Sequence, residues 1–224
     1  MLVQATAISK KYYRPTKHRS HFEAVKPLDL TLHAGTLTEI TGRSGSGKST
    51  LLYMLAGLLK PSTGTVFLDD TDVYALSDDA RSRLRNQKIG VIPQGQTGLY
   101  ALTVLQNVLA PAALYGDTAD YEARAYELLA RVGIADLAAA KMTELSGGEM
   151  RRMSIARALI MNPDLVFADE PTDDLDDENT CAVLALLQET ARSGKIVLLV
   201  THEVAAARYA DVIYRMDAGT LAGA

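Results

Sequence analysis

Eight consecutive residues, Gly42-Arg43-Ser44-Gly45-Ser46-Gly47-Lys48-Ser49, match G-x-x-x-x-G-K-[ST] and are followed by Thr50. They stand between an apolar run, Leu37 to Thr41, and a helical run containing Leu51, Leu52, Leu55 and Leu58. A strand, a glycine loop and a helix in that order constrain the chain strongly. The glycines let backbone N–H groups wrap closely around a phosphate, and the helix starting near Lys48 adds its positive dipole end. In such a loop Lys48 neutralises β- and γ-phosphate charge, and the Ser49 hydroxyl is a ligand for Mg²⁺.

Elsewhere short apolar runs alternate with helical patterns, which predicts a largely parallel sheet covered by helices. Leu165 to Ala168 leads into an acidic loop and Ile196 to Thr201 leads into His202, so each strand carries chemistry beyond its carboxyl end. Alternating segments around Val3 to Ile8, Leu28 to Leu32 and Thr65 to Leu68 predict an antiparallel side sheet. From about Leu105 to Leu159 there is no convincing β run. Tyr121, Ala125, Leu128, Leu129 and Val132 recur there at helical spacing, and Gly133 takes the place of a C-cap glycine. That stretch reads as an inserted helical lobe.

With 224 residues, 48% apolar and 22% charged, the chain can bury a sizeable core as one domain. Its net charge of −4 argues against a general nucleic-acid binder, so no nucleic-acid partner is expected. No apolar run approaches the roughly 20 residues needed to span a bilayer. The start, Met1 to Ile8 followed by Lys10, Lys11 and Arg14, does not read as a signal peptide, and after Val212 to Met216 no room is left for a second domain. A single cysteine, Cys181, fits a reducing cytoplasm and is expected to serve as ordinary packing.

At Leu165-Val166-Phe167-Ala168-Asp169-Glu170 a hydrophobic strand ends in two acids, which is costly unless a cation or hydrogen-bond donors meet them. Asp169 is placed to organise the metal held by Ser49, and Glu170 to polarise an attacking water as general base. Asp173, Asp174, Asp176, Asp177 and Glu178 follow closely. Chemistry is assigned only to Asp169, Glu170 and Asp176; the others read as solvated loop and first-turn residues.

A second glycine cluster, Leu145-Ser146-Gly147-Gly148-Glu149, opens a helical run through Arg151, Arg152, Ile155, Ala156, Arg157 and Leu159. By itself it could be no more than an N-cap at Ser146. Phosphate loop, L-S-G-G-E and acidic strand end in this order, however, resemble the ATP-binding cassette (ABC) ATPases over nearly the whole chain. The resemblance implies an α/β P-loop NTPase: a RecA-like core with a parallel sheet, an antiparallel β side sheet and an inserted α-helical subdomain. The core and side sheet would take about 1–94 and 160–224, the helical part about 95–159. It implies hydrolysis of ATP to ADP and phosphate with Mg²⁺, and a second cassette, expected as an identical copy, packed head to tail. Ser146, Gly147 and Gly148 would then contact the nucleotide held by the other subunit.

The resemblance also implies roles residue by residue. Gln94 matches the Q-loop glutamine that touches Mg²⁺ and couples the site to the helical lobe. His202 matches the switch histidine at the γ-phosphate, Asp176 the D-loop aspartate, and Tyr12 the aromatic that stacks on adenine, with Tyr13 its competitor. Asp173 and Asp174 stand where Gly-Asn is common, Pro93 where phenylalanine is usual, and Met150 where glutamine is common.

Only 52 positions separate Gln94 from Ser146, which leaves room for a compact lobe alone, and the chain carries one cassette. A transporter subunit is the resulting expectation. Leu102 to Val108 and Leu109-Ala110-Pro111 are similar to ATPases of lipoprotein-release, macrolide-export and cell-division type. Such a subunit would lie in the cytoplasm, peripheral on the inner face of the cell membrane through a separate integral-membrane permease. Thr97 to Leu105, with apolar Leu99, Tyr100 and Leu102, would receive the permease. Transmembrane signalling or cell-wall control without transport, and a soluble nucleic-acid-associated ATPase, stay open as alternatives.

Overall fold

The computed structural model describes residues 1–14, 20–95, 97–116 and 118–223. Two long strands, β1 (Leu2–Arg14) and β2 (Ser20–His33), pair antiparallel. With β4 (Thr63–Leu68) and the short β5 (Thr71–Asp72) they form a four-stranded antiparallel sheet in the order β2-β1-β4-β5. The alternating segments near Val3, Leu28 and Thr65 all lie in it, one face buried and one exposed.

The larger sheet contains β3 (Leu37–Thr41), β6 (Ile89–Ile92), β7 (Leu165–Asp169), β8 (Ile196–Val200), β9 (Val212–Asp217) and β10 (Thr220–Gly223), ordered β10-β9-β3-β8-β7-β6. All neighbouring pairs are parallel except β10 with β9. Strands β7 and β8 are buried along their whole length, which explains why they read as unbroken apolar runs. Their residues alternate between two cores. Leu165, Phe167, Ile196, Leu198 and Val200 join α1 (Lys48–Leu55) and the antiparallel sheet, whereas Val166, Ala168, Val197 and Leu199 face the other helices.

Those helices include α3 (Val104–Ala113), α4 (Glu122–Arg131), α5 (Gly147–Leu159) and α6 (Asp177–Arg192), while α2 (Asp78–Lys88) packs beside β6. In α4, Ala125, Leu128 and Leu129 are buried, and Gly133 beyond its end has φ 69°. One apolar cluster runs from α3, α4 and α5 to the back of the central sheet. The helical lobe and the strands that carry the site thus share one packed core. Among the described residues, no helix is long and apolar enough to cross a membrane.

Cys181 departs from expectation. It is exposed, beside Tyr209, because α6 turns Thr180, Val183, Leu184, Leu187 and Ala191 inward and leaves position 181 outside.

Candidate active site

The phosphate loop joins β3 to α1, and its shape depends on two close approaches. Gly42 (φ 151°) and Gly47 (φ 108°) lie so near neighbouring backbone that a Cβ would fall on the carbonyl oxygens of Met216 and Ala24 respectively. Glycine alone fits. Gly47 caps α1 without a side-chain hydrogen bond, so the first N–H groups of α1, which the helix cannot satisfy itself, receive no side-chain cap from that position. Lys48, 7% exposed, folds back so that its ammonium donates to the carbonyls of Gly42 (2.7 Å) and Arg43 (3.3 Å).

The acids at the end of β7 come next to this loop, as parallel pairing of β7 with β8 and of β8 with β3 requires. The Ser49 hydroxyl donates to Asp169 Oδ1 at 3.0 Å, joining positions 120 residues apart. Asp169 is fully buried and its Oδ2 has no hydrogen-bond partner among the described residues. Burial pushes its carboxyl up from the ordinary aspartate range, opposed by the Ser49 hydrogen bond and the nearby Tyr53 hydroxyl. An orphaned buried carboxylate oxygen beside a hydroxyl is an oxygen donor set that suits a hard divalent cation, so these residues fit Mg²⁺.

Glu170 adopts φ 48°, an uncommon conformation for a side-chain-bearing residue, and is 6% exposed. Its Oε1 lies 3.9 Å from Lys48 Nζ, and its Oε2 accepts from the His202 backbone N–H at 3.1 Å and sits 3.0 Å from His202 Nδ1. The hydrogen bond with Glu170, and then that residue's charge, push the His202 imidazole up from its ordinary value. Asp173 belongs to the same cluster: one ligand-type atom from each of Glu170, Asp173 and His202 lies within 4.8 Å of the others. Asp173 is a half-buried loop acid that nevertheless stands beside the site, because the turn after Glu170 folds back on itself.

Tyr12, Phe22, Ala24, residues 42–50, Gln94, Glu170 and His202 line one cleft of ≈ 560 Å³. Tyr12 stacks on Phe22 with ring centroids 6.3 Å apart, whereas Tyr13 pairs with His21 at 5.5 Å. Alternation along β1 puts Tyr12 and Tyr13 on opposite faces, and only Tyr12 turns toward the cleft.

Ser146, Gly147 and Gly148 lie elsewhere, lining a separate cavity of ≈ 470 Å³ with Arg152, Asp174, Leu175, Asp176 and Asn179. Ser146 is the N-cap of α5 in a capping box: its hydroxyl accepts from the Glu149 N–H (3.3 Å), and the Glu149 carboxylate accepts from the Ser146 N–H and hydroxyl, both at 2.7 Å. Asp176 likewise caps α6, accepting from the Asn179 N–H at 2.8 Å. It does not reach Glu170's cluster.

Sequence reasoning missed Phe22, Asp173 and Tyr53. Phe22 had a signal, since it faces Tyr12 across the β1–β2 pair. Tyr53, one helical turn after Ser49, had none beyond that spacing.

The fold and this cleft define a nucleotide-binding α/β protein with a phosphate loop. Residues 25–173 match the ABC transporter family, and the chain belongs to it as an ATP-binding, ATP-hydrolysing cassette. It is 38% identical to the lipoprotein-releasing system ATP-binding protein LolD 2 of Rhodopirellula baltica, over 99% of this chain and 89% of that one. Identity to LolD of Pseudomonas syringae is 46%, covering 87% of this chain and 86% of the relative. MacB of Rhodopseudomonas palustris, a macrolide export ATP-binding/permease protein, is 41% identical over 88% of this chain but only 30% of its own length. The dimeric structure of the bacterial ABC transporter cassette MJ0796 superposes with TM-score 0.91 at 31% identity, covering 99% of this chain and 98% of that one. A second structure of MJ0796, in a post-hydrolysis state bound to ADP and Pi, gives 0.89 at 30%, with the same coverage.

Proposed function

We propose that two copies of this chain pair head to tail around ATP and drive a separate integral-membrane permease. The observation that carries this reading is the division of the chemistry between two cavities with no lining residue in common: the phosphate-loop cleft, and the cavity of Ser146, Gly147 and Gly148. A γ-phosphate meets both only where two chains join. ATP then acts as interfacial glue, and its hydrolysis removes contacts that hold the pair closed.

Tyr12 stacks on adenine, residues 42–50 cradle the phosphates, and Lys48 neutralises β/γ charge. Ser49, Asp169 and Gln94 are the residues that would hold Mg²⁺, which when bound neutralises charge on the phosphate oxygens. Glu170 takes a proton from the attacking water, and His202 holds Glu170 and reaches the γ-phosphate. Asp176 acts at the seam with the partner.

The permease surface lies at Thr97 to Leu105. Leu99 and Tyr100 are 52% and 60% exposed, although the loop carrying them is fixed. Fully buried Asn107 accepts from the Leu99 N–H (2.7 Å) and donates to the carbonyls of Leu99 (3.1 Å) and Thr103 (2.9 Å). Pinned apolar side chains held outward suit a docking helix. The names of the relatives support a lipoprotein-release or macrolide-export type of system, with the cassette on the inner membrane face.

Light scattering on Glu170→Gln with ATP tests the pairing. The expected mass is twice that of the chain, returning to monomer when Ser146→Arg is added. Undiminished dimerisation of the double variant would overturn the shared site. Substituting Leu99 and Tyr100 should abolish permease co-purification and spare nucleotide binding.

A further inference from the structure

One buried cation has no part in the chemistry above. Arg151, in the second turn of α5, is 1% exposed. Its Nη1 donates to the Pro93 carbonyl at 2.8 Å, and its Nε has no hydrogen-bond partner among the described residues. A guanidinium is buried only where other groups compensate its charge. The Pro93 carbonyl meets part of that charge directly, and Asp173 adds attraction from beyond ion-pair distance: burial and then Glu170 push that carboxyl up, while His202 and Arg151 pull it down. Further along the same helix, Arg157 donates to Thr97 Oγ1 at 2.8 Å. Pro93 and Thr97 bracket Gln94. The helix whose first residues are Gly147 and Gly148 therefore holds a residue on each side of Gln94.

We propose that Arg151 is a positioning residue that ties the Gln94 loop to the start of α5 as one unit. A shift of Gln94 on meeting nucleotide is then carried to Ser146, which faces the partner. This rests on the paired-site reading above. Geometry accounts for arginine here: a long, planar fork with a delocalised charge reaches the Pro93 carbonyl with one nitrogen from a buried position. Glutamine could keep the hydrogen bond but not the charge, and lysine the charge but not the fork.

The test uses the full chain, in the wild-type background for turnover and in Glu170→Gln for ATP-driven dimerisation. R151Q should bind fluorescent ATP within about twofold of its parent while needing about fivefold or more ATP to dimerise, and kcat should fall without a matching rise in KM. Partial rescue by R151K, and a non-additive double-mutant cycle with Arg157→Gln, whose side chain holds Thr97 on the other side of Gln94, are expected of a positioning role. A protomer that is only less stable would lower the melting temperature and leave the ATP dependence of dimerisation unmoved, and that result overturns the proposal. Should R151Q fold poorly, R151K decides: unchanged dimerisation refutes the assignment, and weakened dimerisation at unchanged nucleotide affinity upholds it. If the Glu170→Gln parent stays monomeric in ATP, the paired-site reading has failed, and this proposal falls with it.

Discussion

Glu170 presents one carboxylate oxygen to two groups of His202, the backbone N–H at 3.1 Å and the ring Nδ1 at 3.0 Å. The pair fixes a raised imidazole pKa whose first cause is this hydrogen bond. Without nucleotide, the His202 titration followed by NMR should have its midpoint above the ordinary value of about 6.5. In Glu170→Gln it should move back down. A raised folded-state value stabilises the protein fully below the unfolded pKa, and the contribution is lost as pH rises through the folded value. The stability that His202 draws from Glu170 should therefore shrink as pH rises above the unfolded value and through the raised folded one. Equal midpoints in the two proteins would exclude the coupling.

Turnover should separate the two charged residues that meet at 3.9 Å, Lys48 and Glu170. Loss of a general base costs about 10²- to 10⁴-fold in rate and leaves binding in place. Glu170→Gln should accordingly retain ATP affinity and lose at least about a hundredfold in kcat, whereas Lys48→Ala should lose affinity itself. Wild-type turnover by Glu170→Gln would mean that another group activates the water.

What could be read in advance follows from how local each signal is. The phosphate loop, the buried strand before Asp169 and the N-cap at Ser146 are encoded within a few residues, and the structure has each in place. Ser49 meeting Asp169 was legible because a parallel sheet aligns the carboxyl ends of its strands. Asp173 was not, since its approach to Glu170 depends on a turn with φ 48° at Glu170 and 66° at Asp174, which no propensity foretells for acidic residues. Arg151 and Arg157 stand in the sequence only as members of the helical run after Gly148. Their contacts with Pro93 and Thr97 depend on α5 lying beside the Gln94 loop, a tertiary fact.

The aromatic pair can be tested by nucleotide affinity. Base–aromatic stacking contributes about 1–3 kcal/mol, or roughly 5- to 150-fold in binding. Tyr12→Ala should weaken fluorescent ATP binding within that range, and Phe22→Ala should weaken it less, by loosening the ring on which Tyr12 rests. Tyr13→Ala, on the opposite face, should stay within about twofold. If Tyr13 proves the sensitive position, the facing of β1 has been assigned wrongly.

Glu39 carries a different kind of prediction. It is the third residue of β3, 1% exposed, and neither carboxylate oxygen has a hydrogen-bond partner among the described residues. Burial alone pushes its carboxyl up from the ordinary range. Above the unfolded-state pKa the unfolded chain ionises more readily than the native one, so this group makes stability fall with rising pH until the folded value is passed. Glu39→Met should stabilise the protein at neutral pH by about 1–3 kcal/mol, the cost of an unpaired buried polar group. The gain should be smaller at acid pH, where the carboxyl is neutral in both states and only the cost of the unpaired polar group remains. Urea denaturation at pH 4 and pH 8 measures both, and a gain independent of pH would assign the effect to packing.

Asp173 and Asp174 place two extra carboxylates where the proposed seam closes on a triphosphate. Asp174 lines the Ser146 cavity, so its charge would face the nucleotide held by the partner. Closing such a surface on like charge is opposed by repulsion, which salt screens over about 10 Å at 0.1 M ionic strength. The replacement Asp173→Gly/Asp174→Asn removes both charges, and asparagine tolerates the left-handed backbone at position 174. In a Glu170→Gln background the neutral variant should dimerise at lower ATP concentration than its parent at about 10 mM salt, and the gap should narrow toward 0.5 M. A steric effect of the two side chains would leave a gap that salt does not move. Equal dimerisation of both proteins at low salt would show that these acids do not oppose closure, and would direct attention to whatever cation on the facing surface neutralises them.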